Sequence, residues 1–315
     1  MALFQNLSEG KRILNDLCGD SYPYHLTQSR EESAILLSQI DKGDAKLLIV
    51  DDFSPGFVFK LKQHVSNMRV AYFTNRETKN ILMENRTGEL KELNSIQNIQ
   101  MITAVDRSLW GNLFNHLYSH NCFDINLNEF WGTPLHSTVI KKSEEVEDII
   151  SKANHVIDSV NAKSFQKFFY TDMMTELLHN AIYDAPIDSK DGSKKYYGND
   201  RTLHFNLEKE EFVTVRFGGD DKILCCEVSD QMGRLHFADM LHVWCKCFSG
   251  VENIVNVKEN EGGSIGFFKI INCVSDIIVN VDKNRSTRVC CLIRRELSKR
   301  EFRLNPKNIH FYFNG

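Results

Sequence analysis

Between Phe165 and Asp184 two rows of residues, each spaced four apart, run side by side. Phe165, Phe169, Met173, Leu177 and Ala181 make an apolar ridge if the stretch is helical. Asp172, Glu176, Asn180 and Asp184 form the row one position along. Pro186 predicts the end of this helix, because its ring clashes with the preceding turn and it has no N–H to donate. A solvated helix face mixes in Lys or Arg at such intervals. This row has none, so it reads as a surface arranged around a cation or a polar ligand.

The chain ahead of that helix alternates short apolar runs with helical periodicity. Residues up to about 45 read as mostly helical, with Glu31–Ile40 the clearest piece. Strands are then predicted at Lys46–Val50, Arg69–Phe73 and Ile99–Ala104, with helices at Phe57–Val65, Arg76–Glu84 and Ser108–Ser119. This alternation predicts a parallel sheet with crossover helices. Phe123–Pro134 is irregular, with Gly132 and Pro134 as breakers. The expected domains are therefore 1–130 and 131–315.

Leu47-Leu-Ile-Val-Asp-Asp52 resembles the first strand of a response-regulator receiver domain, whose paired acids hold magnesium. Met101-Ile-Thr-Ala104 is similar to a receiver's fourth strand. A working receiver also needs a phospho-accepting Asp at the end of its third strand, and no Asp lies between Glu84 and Ile96. The expectation is an inactive receiver-like or generic α/β module.

A length of 315 residues suits about two domains. The net charge is −4 without a concentrated basic stripe, which argues against nucleic acid as a partner. The longest apolar runs, such as Ile270–Ile278, are interrupted by polar residues, and no membrane span is expected. The first residues lack the apolar core of a signal peptide, so a cytoplasmic location is expected. Cys225-Cys226 and Cys290-Cys291 fall in strand-like runs, where neighbours point to opposite faces and cannot pair with each other. Reduced, buried thiols are the plain reading of the nine cysteines. Cys245-Lys-Cys247 beside His242 lacks a second ligand pair at metal-binding spacing.

The C-terminal half reads in order as an edge strand Leu135–Lys142, a helix from an N-cap Ser143 to about Val160, then the helix described above. A polar loop over Asp188–Asp200 follows. Strands are predicted at Thr202–Leu207, Phe212–Phe217 and Ile223–Ser229. The last runs into Asp230-Gln-Met-Gly233-Arg-Leu235, where an Asp at a strand mouth can present a carboxylate to a ligand's amino group. Phe237–Phe248 reads as a helix, and 249–261 as a loop. Glu261-Gly-Gly-Ser-Ile-Gly266 then precedes an apolar helix Phe267–Val274, and glycines there let backbone N–H groups meet phosphate oxygens. Ser275–Val281, Arg288–Arg294 and Phe302–Phe313 complete the predicted strands.

In this order the chain resembles the ATPase domain shared by gyrase B, sensor histidine kinases and anti-sigma-factor kinases, the Bergerat or GHKL fold. Glu176-Leu-Leu-His-Asn180-Ala is similar to its N box, Asp230-Gln-Met-Gly233 to its G1 box, and Gly262-Gly-Ser-Ile-Gly266-Phe to its G2 box. The resemblance covers about residues 135–295 and implies an α/β sandwich that binds ATP and Mg2+. It implies Asn180 as the magnesium ligand through its side-chain carbonyl and Glu176 as the group that orients or deprotonates the attacking atom. Asp230 would accept from the adenine amine, and Gly262, Gly263 and Gly266 would admit the phosphates, with 248–262 as a lid. Tyr183 and Asp184 would border the adenine pocket, Gly233 would belong to its G1 turn, and Lys258 and Lys269 are candidate phosphate contacts. The sequence departs from the pattern at Met232 and Arg234, where G1 has glycines, and at Ser264.

About twenty residues follow the last clear C-terminal strand, too few for a gyrase transducer domain, and none of the eleven histidines precedes an acid as in histidine kinases. The layout is most similar to stand-alone signalling ATPases of the anti-sigma-factor-kinase type. The resemblance thus implies ATP-dependent phosphoryl transfer to a protein Ser or Thr, with a sigma-factor regulator or a response-regulator-like protein as partner; it is compatible with a homodimer. The alternative is an inactive GHKL-fold protein acting as a nucleotide-gated or nucleotide-free interaction switch.

Overall fold

The structure is a computed structural model, and it describes residues 133–188, 192–196, 204–236, 239–240, 263–304 and 307–314. Before these it describes Lys11 and five short strands: β1 (Ala2–Leu3), β2 (Leu26–Thr27), β3 (Leu47–Val50), β4 (Arg69–Thr74) and β5 (Ile99–Thr103). The chain divides into two compact units. One is Met1–Phe130 with Asn308–Tyr312, and the other is Trp131–Lys307 with Phe313–Gly315.

In the first unit β1 pairs in parallel with β2 and β3, β3 with β4, and β4 with β5. The strand order is β2-β1-β3-β4-β5, and β11 (Asn308–Asn314) adds antiparallel to β5. The parallel sheet expected from strand–helix alternation is present. Two strands precede Leu47–Val50, however, so that run is third in chain order and not first. Two-residue strands carry too few residues to show a period, which is why neither was legible. The predicted helices 57–65, 76–84 and 108–119 lie outside the described residues.

The second unit contains β6 (Leu135–Ile140), α1 (Glu145–Ser159), α2 (Ser164–His179), β7 (Val213–Gly219), β8 (Ile223–Asp230), α3 (Gly263–Cys273), β9 (Asp276–Asp282), β10 (Ser286–Arg294) and α4 (Lys299–Leu304). Its strands lie in the order β9-β10-β8-β7-β6, and every neighbouring pair is antiparallel. Period-two alternation sends one set of side chains to a common face. Val213, Val215 and Phe217 of β7 are on it, with Leu224, Cys226 and Val228 of β8, Val289, Cys291 and Ile293 of β10, and Ile277, Val279 and Val281 of β9. All are buried, each contributing roughly 1.5–3 kcal/mol of transfer free energy for the larger side chains. Helix α1 packs on β7, α2 on β8 and β10, and α3 on α2.

Local sequence explains the helix starts, not always as expected. Ser143 does not cap α1: its hydroxyl accepts from the Phe205 N–H at 3.0 Å. Glu145 instead turns back to accept from the N–H groups of Lys141 and Lys142, at 2.7 and 3.2 Å. In α2 the buried Gln166 side chain accepts from the Lys163 N–H at 3.0 Å and donates to the Arg295 carbonyl at 3.0 Å. This ties the helix start to the residue after β10.

Two further expectations change. No strand forms over 204–207, where Asn206 makes only an isolated bridge to Lys142. Phe302 lies on α4, its ring stacked on Phe169 at 5.1 Å, and the final strand begins only at Asn308. That strand pairs with β5 of the first unit. Of the predicted helix 237–248, only residues 239–240 are described, as helical.

Candidate functional site

The α-helical pattern of α2 gives way at Asn180 to a π-helical turn spanning Asn180–Asp184. The Ala185 N–H bonds to the Asn180 carbonyl at 2.9 Å, five residues back. Such widened turns are frequent at functional sites because they re-aim side chains that a regular helix would carry past. Asn180, Ala181 and Asp184 here line a cavity of about 480 Å³, together with Leu177 from the preceding turn. Tyr183, expected at its edge, is not among the lining residues. Its buried ring packs edge-on against His179 and Phe205, at 5.8 and 5.6 Å.

The opposite wall is made by β8 and β10. Their register sets Thr287 across from Asp230 and Val289 across from Val228, and all four residues line the cavity. Met232, Arg234, Leu235, Met240 and Phe267 extend the wall, so the space is mostly apolar with polar groups at a few points. Burial pushes the Asp230 carboxyl up to about 6 from the usual 3.8. The backbone N–H groups of Met232, Gly233 and Thr287 and the Thr287 hydroxyl oppose that shift without cancelling it. The Met232 N–H donates to Asp230 Oδ1 at 2.8 Å.

Gly233 has a task in the turn itself. Its φ is +62°, and a Cβ there would lie 2.1 Å from the Asp282 carbonyl oxygen and 2.7 Å from the Asn284 nitrogen. Its own carbonyl accepts from the Asn284 N–H at 3.0 Å. The glycine is needed to seat the β8 exit against the β9–β10 turn, and it does not line the cavity. Met232 and Arg234, on either side of it, do.

Helix α3 closes on α2 at Gly266. A Cβ added to Gly266 would stand 2.9 Å from Glu176 Oε2 and 3.2 Å from Asn180 Oδ1. One turn along α3, Lys269 Nζ donates to Glu176 Oε1 at 2.5 Å. The Glu176 side chain is 11% exposed and that of Lys269 is 47% exposed. Asn180 Nδ2 is buried without a hydrogen-bond partner, an arrangement that costs free energy unless a ligand or water completes it. At the far rim Lys194 Nζ pairs with Asp184 Oδ1 at 3.0 Å.

The structure thus brings Glu176, Asn180 and Gly266 together, and sets Asn180, Asp184 and Asp230 round one cavity. Gly263 begins α3. Gly262, Lys258 and the whole of the expected lid, 248–262, lie outside the described residues. Sequence reading missed Thr287 and the pairing of Lys269 with Glu176. Both follow from packing between distant segments, and only the strand register could have pointed to Thr287.

A mostly apolar slot is met at one point by the half-buried Asp230 carboxyl, the Asn180 amide stands beside the Glu176 carboxylate, and Gly266 lies where a side chain would fill the gap between helices. No helix among the described residues is long and apolar enough to cross a membrane. No protein-family model matches the chain, and no curated protein matches it in sequence. Among solved structures, a chain from the SiaB-SiaC complex of Pseudomonas aeruginosa is similar at 13% identity and a TM-score of 0.33, over 53% of this chain and 94% of that one.

Proposed function

We propose that the C-terminal unit is a GHKL-type nucleotide site and that the protein is a signalling protein that binds ATP with Mg2+ and acts on a protein partner. The observation that carries this reading is convergence. Asn180, Asp230 and Phe267 of α3 are separated by dozens of residues, yet they line one cavity, and Asn180 Nδ2 has no hydrogen-bond partner.

In this reading Asp230 and Thr287 hold the adenine amine, while Val228, Val289 and Met232 enclose the ring. The backbone N–H groups at the start of α3 receive the phosphates, favoured by the positive end of the helix dipole. Asn180 holds Mg2+, which neutralises phosphate charge when bound. Glu176 is the residue placed to take a proton from an attacking Ser or Thr hydroxyl. The first unit serves as the input module. Its order β2-β1-β3-β4-β5 is a common doubly wound arrangement, in which ligands meet the carboxyl ends of strands where the order reverses. Asp51-Asp52 directly follow β3 in sequence, which makes them the acids to test there.

One observation favours a second reading, in which nucleotide switches partner binding without turnover: Glu176 already shares its charge with Lys269. Calorimetry of ATP with and without Mg2+ tests the common core of both readings. Magnesium should tighten ATP in the wild type, and Asn180→Ala should remove that gain. No binding at millimolar ATP would refute both. Labelled ATP with candidate partner proteins separates them, since the kinase reading requires a labelled product that disappears in Glu176→Ala.

A further inference from the structure

Lys269 stands at the junction between the carboxylate and the phosphate-facing end of α3. It follows Gly266 by three residues, so both lie on the same side of α3. Side chains on a helix lean toward its N-terminus, which carries the ammonium back toward the glycine start. There it meets Glu176 Oε1 at 2.5 Å, while Glu176 Oε2 and Asn180 Oδ1 flank Gly266. The carboxylate is nearly buried and the lysine is half exposed. A single cation is therefore within reach of a buried acid and of the place where phosphates would enter.

We propose that Lys269 is a phosphate-responsive latch: it pairs with Glu176 in the ligand-free protein and transfers to the nucleotide's phosphates on binding, which frees Glu176. This rests on the nucleotide reading above and names the regulation of that site. Latched, the carboxylate has Oε1 engaged by the ammonium. Unlatched, Oε1 is free to accept the nucleophile's proton. In the step so enabled, the hydroxyl oxygen bonds to the γ-phosphorus and its proton passes to Glu176. The bond from the γ-phosphorus to the bridging oxygen breaks, and the electron pair leaves on ADP. Before nucleotide arrives the acid is held out of action, which keeps the site idle without distorting it.

A latch makes a thermodynamic prediction that plain electrostatics does not. If Glu176 competes with phosphate for Lys269, removing the acid's charge should tighten ATP only while the lysine is present. ATP affinity is measured by calorimetry for wild type, Glu176→Gln, Lys269→Met and the double variant, and thermal unfolding is followed for the same four proteins without nucleotide. Glu176→Gln should tighten ATP by about five- to tenfold, Lys269→Met should weaken it by about tenfold, and Glu176→Gln should change affinity less than about twofold in the Lys269→Met background. The unfolding temperatures should be non-additive, because both singles break one pair. Equal tightening by Glu176→Gln in both backgrounds would overturn the latch and leave ordinary charge repulsion. Additive unfolding temperatures would overturn it even where ATP binds. Absence of ATP binding in all four proteins would overturn the nucleotide reading itself, and the latch with it.

Discussion

The Asp230 carboxyl should make the pocket's affinity for an amino-bearing base depend on pH. Burial raises it to about 6, against the backbone N–H groups and the Thr287 hydroxyl that favour the ionised form. The Met232 N–H on Oδ1 is one of four donors that meet this carboxylate, so an exocyclic amine needs a remaining lone pair as its acceptor. Protonation removes that acceptor, and only the ionised fraction of the protein then binds. The apparent dissociation constant rises by one plus the ratio of protonated to ionised protein: about 1.1-fold at pH 7, about twofold at pH 6 and about 11-fold at pH 5. The probe should be adenosine, which has no phosphate to titrate in this range. Calorimetry at pH 6 in buffers of differing ionisation enthalpy should show about half a proton released per adenosine bound. Asp230→Asn should abolish both the release and the pH slope. Adenosine binding with a flat affinity from pH 5 to 8 and a buffer-independent heat would refute the assignment of Asp230 as acceptor.

The same carboxyl gives the ligand-free protein a slope in stability of definite sign. Its folded value lies above the unfolded 3.8, so the folded state keeps a proton that the unfolded chain gives up between about pH 4 and 6. The contribution is present in full below about 4 and is lost as pH rises through about 6. At pH 7 the buried charge costs up to about 3 kcal/mol. Asp230→Asn, which stands in for the protonated form, should therefore unfold at a higher temperature than wild type at pH 7 and show no such gain at pH 4.

Gly233→Ala should be destabilising by about 3 kcal/mol or more, since a Cβ there meets backbone atoms at a positive φ; a wild-type urea midpoint would refute the turn role. Lys195 bridges Glu208 and Glu211 at 2.6 and 2.7 Å, and the Glu211 side chain is only 7% exposed. Lys195→Met leaves that acid without its cation and should cost about 3 kcal/mol at pH 7. Burial alone would raise the Glu211 carboxyl, but Lys195, the Glu208 N–H and the Tyr196 hydroxyl together bring it below its usual 4.5. Its contribution is thus present above about 4.5 and lost as pH falls, so the Lys195→Met deficit should shrink in acid. A deficit that grows there would contradict this. Arg294 meets Asp276 with two hydrogen bonds of 3.1 Å, both side chains being nearly buried. Arg294→Met should cost about 3–5 kcal/mol in denaturant unfolding.

The strands of the second unit were legible because each is a short apolar run bounded by turns. Val213–Gly219 alternates at its start, while Ile223–Asp230 and Ser286–Arg294 are buried along most of their length and read as continuous runs. Order within a sheet has no such local record. Nothing in Ala2–Leu3 or Leu26–Thr27 announces pairing with a strand twenty or more residues away, and the count of strands before Leu47 went wrong accordingly. The terminal segment failed for a related reason. Phe302 and Phe311 are both aromatic and buried, but one is on a helix and the other on a strand, and hydrophobicity does not distinguish the two over so short a span.

The site divides along the same line. Glu176 and Asn180 lie one helical turn apart, so their spacing alone sets them on one face, and the structure keeps them together at Gly266. The glycines were read with the same local logic, yet a glycine's purpose depends on what approaches it. At Gly266 the approaching groups are the two side chains of the helix row. At Gly233 they are the carbonyl and amides of the β9–β10 turn, which would demand glycine there whether or not any nucleotide bound. The glycine between Met232 and Arg234 is therefore no measure of how well the loop has kept a phosphate- or base-binding role. The flanking side chains are the better measure, because they line the cavity: shortening Met232 or Arg234 changes the space left for a base, while Gly233 changes whether the loop forms.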